Sequence, residues 1–222
     1  MQRSVVGGFF ATLLVSCVHG TLPPRELYRL VPLDSAAATH ARAMGPASGA
    51  PVLDGALEIE PYQTPGLYGD PPIVYRVGET RYGTYSSREW AIPLSNMLAT
   101  LTADVLKATS FAAGPVVSAA AADNGAGYKW RGTVREFEEV NRGRQLFAAV
   151  HLDASIVRAR DDSLLWQGSA RLERAVSEQT MSAIVAALSA LADSAVVELA
   201  QQAGRAFQGR SAAAAPDTSE PR

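Results

Sequence analysis

The most regular pattern in this chain is an alternation of apolar and polar residues. From Leu146 to Ile156 every second residue is Leu, Ala, Val or Ile, and a similar alternation runs from Leu164 to Leu172. Because successive side chains of a strand point to opposite faces, each stretch predicts a strand with one buried face. The turn residues at 161–163 predict that the strands are antiparallel neighbours.

A third strand is predicted just before this pair. Tyr128, Trp130 and Val134 alternate with charged or polar residues, but Phe137 falls on the opposite parity. The change of parity predicts a β-bulge near Glu136, because one extra residue would return the apolar side chains to the same face. With a turn at 141–143, the three segments predict an antiparallel meander with one buried face.

Shorter segments predict further strands outside the meander. In 56–62 Leu and Ile alternate with Glu, which is typical of a half-buried strand. Residues 73–77 and 81–85 flank the sequence Gly-Glu-Thr and predict a hairpin. We also expect strands at 27–33 and 116–120.

The first helix is predicted from a change in apolar spacing. Between Leu94 and Val105 the apolar residues recur at the spacing of one helix face. Pro93 is costly inside a helix, which leaves two interpretations. Either the helix starts near Ile92 with Pro93 in its first turn, or residues 86–91, which open on the capping residues Ser86 and Ser87, form a separate turn.

A longer helix is expected from Ser177 to about Phe207. Its apolar residues, from Met181 to Leu199, again follow the spacing of one helix face. Taken together, these segments predict one α+β domain. It consists of a mostly antiparallel sheet with two long amphipathic helices packed on one face.

The N-terminal residues have the layout of a secretory signal. Arg3 precedes an apolar run from Val5 to Val15, which is shorter than the about 20 residues that a membrane-spanning helix needs. The following Leu14-Val15-Ser16-Cys17 resembles the bacterial lipobox, in which cleavage precedes the cysteine and that cysteine receives acyl chains, palmitate among them. Cys17 is the only cysteine. Ordinary cleavage after Gly20 and a free cytosolic thiol are the alternatives.

These features divide the chain into segments. We expect a lipoprotein signal peptide at 1–16, a lipidated tether at 17–26 and the folded domain at 27–209. Residues 34–55 are rich in Ala, Gly, Ser and Pro, so they predict a long surface loop within that domain. Residues 210–222 contain no large apolar side chain and are expected to form a disordered tail.

Composition and motifs argue against several functions. The net charge of −2 offers no basic excess for nucleic acid. The chain has no HExxH, GxSxG or GxxxxGK[ST] motif and its histidines are scattered, so we expect no metal, no cofactor and no enzyme activity. Acidic pairs are interpreted as strand alternation or as solvated residues in or next to turns: Glu58/Glu60, Glu138/Glu139 and Asp161/Asp162.

Binding to a partner is the function that remains. The segment TPGLYGDPPIVYRV at 64–77 is dense in Pro, Gly and Tyr, which is typical of an exposed recognition loop. The alternative is that Leu67 and Tyr68 fold back on the sheet edge. The candidate partner-binding residues are Leu67, Tyr68, Asp70, Tyr75, Arg76 and Trp90.

Three motifs carry a family resemblance. They are Tyr28-Arg29-Leu30 in the first strand, Pro71-Pro72-Ile73-Val74-Tyr75-Arg76 leading into the predicted hairpin, and Trp90-Ala91-Ile92-Pro93-Leu94 before the first helix. In these motifs the chain resembles the ABC-type transport auxiliary lipoproteins, which are paraquat-inducible protein C-like components of MCE lipid-transport systems.

The resemblance implies a periplasmic lipoprotein that is tethered by Cys17 and assists transport without catalysis. Its implied partners are an MCE-domain protein, the permease and ATPase of the same system, and the membrane; homo-oligomers are also compatible with it. Val18 in place of Asp favours the periplasmic face of the outer membrane. The alternatives are an accessory to another secretion or assembly machine, a soluble periplasmic enzyme, and a carrier that encloses an acyl chain.

Overall fold

A computed structural model of the chain describes residues 24–31, 50–119 and 125–213, with side chains as far as residue 210. The predicted signal peptide, Cys17, most of the tether, residues 34–49 of the predicted loop and residues 214–222 of the predicted tail lie outside the described residues. Within these ranges the strands are β1 (Glu26–Tyr28), β2 (Leu57–Ile59), β3 (Pro72–Val77), β4 (Arg81–Trp90), β5 (Val116–Ser118), β6 (Tyr128–Arg142), β7 (Gln145–Arg158) and β8 (Leu164–Val176). The helices are α1 (Leu94–Ala108) and α2 (Met181–Ala213).

The predicted meander is confirmed. β6 pairs antiparallel with β7, and β7 pairs antiparallel with β8. The register of β6 shifts between Val134 and Glu136, so the bulge lies where the parity of Phe137 predicted it. As a result Trp130, Val134 and Phe137 are all buried in the main core.

The prediction of a mostly antiparallel sheet is wrong, because the sheet is mixed. β2 and β3 both run parallel to β6, at its start and its end respectively. β1 is parallel to β4 and β2 is parallel to β5, whereas β3 and β4 form the predicted antiparallel hairpin. The alternation of a short strand shows which face is buried but not which neighbour it pairs with, so the sequence could not reveal these directions.

The helices lie together on one face of the sheet. α2 packs on β7, on β8 and on α1. α1 begins directly after Pro93, which occupies the N-cap position, and this agrees with the interpretation that places the proline at the helix start. Ser86 and Ser87 are strand residues of β4, so the alternative of a separate turn at 86–91 is wrong.

Helix α2 is longer than expected and begins later. It starts at Met181, where the Thr180 hydroxyl accepts a hydrogen bond from the backbone N–H of Ala183, and it ends at Ala213. By length and composition the helix could cross a membrane, but 61% of its most apolar 18-residue window is buried inside the domain. Packing against the sheet and α1 therefore accounts for its apolar character.

Close packing between the layers is clearest at β6. A Cβ atom at Gly132 would lie 2.2 Å from the ring of Tyr62, so only glycine fits beneath this side chain. The Tyr62 hydroxyl lies 2.8 Å from Thr102 Oγ1 of α1 and accepts a hydrogen bond from Trp130 Nε1 over 3.2 Å. At the end of the predicted surface loop, Leu53 is also buried in the core.

Candidate functional site

The predicted partner-binding residues lie on the turn before β3, on β3 itself and at the end of β4, and the structure separates them by exposure. Leu67 is 40% exposed on a 3-10 turn at Gly66–Gly69, and Asp70 is exposed just after it. Tyr68 and Tyr75 are half-buried. Arg76 and Trp90 are buried, and Trp90 packs edge-on against Phe137 with ring centroids 5.9 Å apart. Of the six predicted partner-binding residues, Leu67 and Asp70 are therefore the exposed ones.

A buried ion pair joins the segment to the meander. Arg76 of β3 donates from Nε to Glu138 Oε1 of β6 over 2.6 Å, and both side chains are nearly inaccessible, at 3% and 0%. The hydroxyl of Tyr68 donates to the other carboxylate oxygen of Glu138 over 2.5 Å. Tyr68 thus folds back toward the sheet, while its neighbour Leu67 remains exposed.

Burial and charge fix the protonation of this cluster. Burial alone lowers the pKa of the Arg76 guanidinium, but the hydrogen bond and the charge of Glu138 outweigh it and raise the pKa above the ordinary value. Burial, followed by the hydrogen bond to Glu138, raises the pKa of Tyr68 well above 10. Arg76 is therefore a cation and Tyr68 a neutral donor at physiological pH, so together they hold the 3-10 turn in place.

A second buried carboxylate lies on the opposite face of β6. Glu139 accepts a hydrogen bond from the hydroxyl of Tyr85 over 2.7 Å and another from Asn141 Nδ2 over 2.7 Å. Burial and the hydrogen bond to Glu139 raise the pKa of Tyr85 above its ordinary value. The ring of Tyr75 packs against that of Tyr85 at a centroid distance of 5.0 Å.

The interpretation of Glu138 and Glu139 as solvated residues near a turn is wrong, since they are 0% and 3% exposed. They belong to a strand that continues as far as Arg142, and β3, β7 and the tyrosines cover them. The sequence did carry a signal for the first of them. Arg76 occurs in an apolar strand, and a buried arginine requires an acidic partner.

The outer face of the meander, away from the helices, is polar. A depression of ≈ 610 Å³ there is lined by side chains that include Arg135, Asp153 and Ser169. Ser169 donates to Asp153 Oδ1 over 2.7 Å, and His151 Nε2 lies 2.8 Å from the same serine oxygen. Because the serine proton is directed to the aspartate, His151 does not accept it as a general base in this arrangement.

The charged side chains of this depression form hydrogen bonds and ion pairs with one another, which favours a structural role for them. Burial raises the pKa of Asp153, but hydrogen bonds from Ser169 and Arg135 outweigh it and hold the pKa below its ordinary value. Further ion pairs cross the same face, such as Glu136 with Arg171 at 3.0 Å. The described residues contain no group of three or more His, Cys, Asp or Glu side chains that could hold a metal ion.

Solved structures share this architecture. A crystal structure of a protein from Xanthomonas campestris aligns with a TM-score of 0.67 at 19% identity, covering 84% of this chain and 99% of that chain. A second crystal structure, of an uncharacterized protein, aligns with a TM-score of 0.60 at 14% identity, covering 81% and 98%. No curated protein sequence matches the chain. At these identities the similarity shows the fold.

The fold and the surface together define an α+β domain with a mixed sheet, helices on one face and charged side chains on the other. The family of ABC-type transport auxiliary lipoprotein components matches residues 35–200. The chain belongs to this family, as its motifs predicted. Members of the family are auxiliary lipoprotein components of ABC-type transport.

Proposed function

We propose that the chain is a lipoprotein that is anchored through Cys17 on the periplasmic face of the outer membrane. It serves as a non-catalytic accessory of an MCE-type ABC transport system that moves lipids between envelope membranes. The single observation that carries this proposal is the family match over residues 35–200. The sequence contains no phosphate-binding GxxxxGK[ST] motif, so the energy comes from the partner ATPase.

The anchor and the domain have separate roles in this proposal. Pro24 follows Cys17 by only seven positions, and a fully extended chain spans at most about 3.6 Å per residue. The domain therefore stays within roughly 25 Å of the lipid anchor. Such a short tether raises the effective concentration of the domain near membrane-bound partners.

Contact with the MCE-domain protein is assigned to the segment around Leu67. An exposed apolar side chain on a turn loses contact with water when it enters a pocket of a partner, and this burial favours binding. Tyr68 and Arg76 hold that turn through Glu138, so the binding surface is preorganised and loses little entropy on docking. Asp70 adds a charge beside the apolar anchor.

Replacement of Cys17 by Ser tests the anchor. A hydroxyl does not replace the thiol as the acylation site, so we expect the Cys17→Ser chain to lose its acyl chains and its attachment to membranes. Mass spectrometry and membrane fractionation measure both effects. Val18→Ser, at the neighbouring position, is the matched control and should keep the acyl chains. An unmodified thiol in the native protein would contradict the anchor.

Replacement of Leu67 by Asp tests the docking segment. A charge at an apolar anchor should weaken recovery of the MCE-domain protein by about tenfold or more in crosslinking and copurification. The control is Leu164→Asp, which changes a more exposed leucine at the start of β8. Because Leu164 lies at the end of the meander opposite to the Leu67 turn, recovery of the MCE-domain protein should be unchanged.

The same copurification separates the proposed system from its main alternative. Recovery of the permease, the ATPase and the MCE-domain protein together supports the proposal. Recovery of a secretion or assembly pore without any MCE-domain protein would instead assign the chain to a different envelope machine.

A further inference from the structure

A depression of ≈ 330 Å³ lies where the β6–β7 hairpin meets the start of α2. Its lining includes Tyr85 and Arg88 of β4, Glu139 of β6, Arg144 of the hairpin turn and Met181 of α2. Small-molecule sites in proteins have volumes of about 300–1,000 Å³, so a headgroup-sized compound fits this space. The depression is separate from the Leu67 segment and from the polar depression on the outer face.

Glu139 provides a buried negative charge in this depression. The side chain is 3% exposed, and both of its hydrogen-bond donors, Tyr85 and Asn141, are neutral. None of the ion pairs formed within residues 24–31, 50–119 and 125–210 includes Glu139, whereas the adjacent Glu138 is paired with Arg76. A carboxylate offers about four acceptor positions, so each oxygen can still accept a hydrogen bond. A cation bound here would offset a costly buried charge.

Positive groups surround the same space. The Arg88 guanidinium lies over the ring of Tyr85 at 4.8 Å and reaches the exposed Glu26 at 3.5 Å. Arg144 is exposed on the hairpin turn and forms no ion pair with any of the described side chains. The N-terminus of the long helix α2 adds its partial positive charge beside Met181. These groups would attract a phosphate.

We propose that this depression binds a zwitterionic headgroup of the phosphoethanolamine type, with the ammonium against Glu139 and the phosphate between Arg88 and Arg144. A simple cation would be repelled by the two arginines, and a simple anion by the carboxylate. A compound that carries both charges on a short arm satisfies both sets of groups. The choice of phospholipid as its source rests on the proposed function, and a free phosphoethanolamine compound has the same chemistry.

The chemistry of Glu139 favours a primary amine over a quaternary one. A primary ammonium donates N–H groups to the open acceptor positions of the carboxylate, and such charge-assisted hydrogen bonds are the stronger ones. A choline group has no N–H to donate. We therefore expect glycerophosphoethanolamine to bind about tenfold or more tightly than glycerophosphocholine.

Calorimetric titration of the full-length lipidated protein in a sugar detergent tests the proposal. The soluble probes are glycerophosphoethanolamine, glycerophosphocholine, ethanolamine and inorganic phosphate. Phosphatidylethanolamine is then dissolved in the micelles as a competitor. Competition identifies the intact lipid as a source, and binding of the soluble probe without competition identifies a free compound; either result supports the headgroup chemistry.

Substitutions separate the two halves of the site. Glu139→Gln should reduce the affinity for glycerophosphoethanolamine to that for glycerophosphocholine, while inorganic phosphate binds at least as well as before. Arg144→Gln should weaken both glycerophosphodiesters by a similar factor. Arg205→Gln, at an exposed arginine of α2 outside the depression, is the control and should change neither affinity.

Equal affinities for the two glycerophosphodiesters in the native protein would overturn the proposal, as would no binding of either one. If Glu139→Gln does not fold, the Arg144→Gln variant still tests the proposal. The relative affinities of the native protein for the two glycerophosphodiesters test it as well. Copurification of the same preparation with MCE partners reports on the proposed function separately. Partners recovered without headgroup binding would remove only this inference, and headgroup binding without partners would count only against the proposed function.

Discussion

Replacement of Arg76 by Met is expected to lower the free energy of unfolding by about 3–5 kcal/mol, because it leaves the fully buried Glu138 without its cation. Methionine replaces the aliphatic part of the arginine side chain, so the loss of packing is confined to the guanidinium end. Tyr68 would still donate to the carboxylate, but one neutral hydrogen bond does not replace a guanidinium at 2.6 Å. Urea unfolding followed by far-UV circular dichroism measures the change.

Two further variants test the physical reason for this loss. Arg76→Met/Glu138→Gln should recover most of the stability, because the amide removes the buried charge and still accepts from Tyr68. Glu79→Gln is the matched control, since this 80% exposed carboxylate lies 3.5 Å from the same guanidinium. An exposed pair contributes only about 0–1 kcal/mol, so Glu79→Gln should be nearly neutral. Equal losses of unfolding free energy for Arg76→Met and Glu79→Gln would contradict the explanation that the burial of Glu138 causes the larger loss.

Predictions from sequence succeeded where the chain pairs with its immediate neighbour. Strong alternation and turn residues placed the meander, the hairpin and the bulge at Glu136, because these features depend on local parity. They failed for the direction of β1, β2 and β5. Each has only three residues, and its partner is distant in the sequence. A strand this short carries no pattern that specifies its neighbour, so only the folded sheet reveals that the pairing is parallel.

At the candidate site, too, the outcome depended on whether the partners of a residue are near to it or distant in the sequence. The composition of its loop leaves two interpretations for Leu67, an exposed anchor or a residue folded back on the sheet edge, and the structure places it on the surface. The two buried glutamates were assigned to the solvent because they lie near a turn in the sequence. Their burial depends on Tyr68 and Tyr85, which are 70 and 54 residues away, so no local window contains both partners. Long-range polar pairs of this kind can be read only from the tertiary structure.

A truncating substitution in the core around Trp130 is expected to destabilise the protein as much as the loss of the buried ion pair. Trp130 is fully buried, packs edge-on against Phe111 at 6.2 Å and contacts Trp166 at 5.8 Å. Its Nε1 also donates to Tyr62, whose hydroxyl lies 2.8 Å from Thr102. The side chain therefore joins the sheet to the loop after β2 and, through Tyr62 and Thr102, to the helix layer.

We expect Trp130→Ala to lower the free energy of unfolding by about 3–5 kcal/mol, since it opens a cavity that the rigid sheet cannot close. Trp130→Phe keeps a ring and should cost less, with a contribution of about 1 kcal/mol from the lost hydrogen bond to Tyr62. Urea unfolding followed by circular dichroism is the suitable measurement, because the substitution removes a fluorophore. Leu164→Ala, at a 57% exposed position, should stay within about 0.5 kcal/mol of the native protein. If Trp130→Ala were as mild as this control, the contacts of Trp130 would not be a main source of core stability.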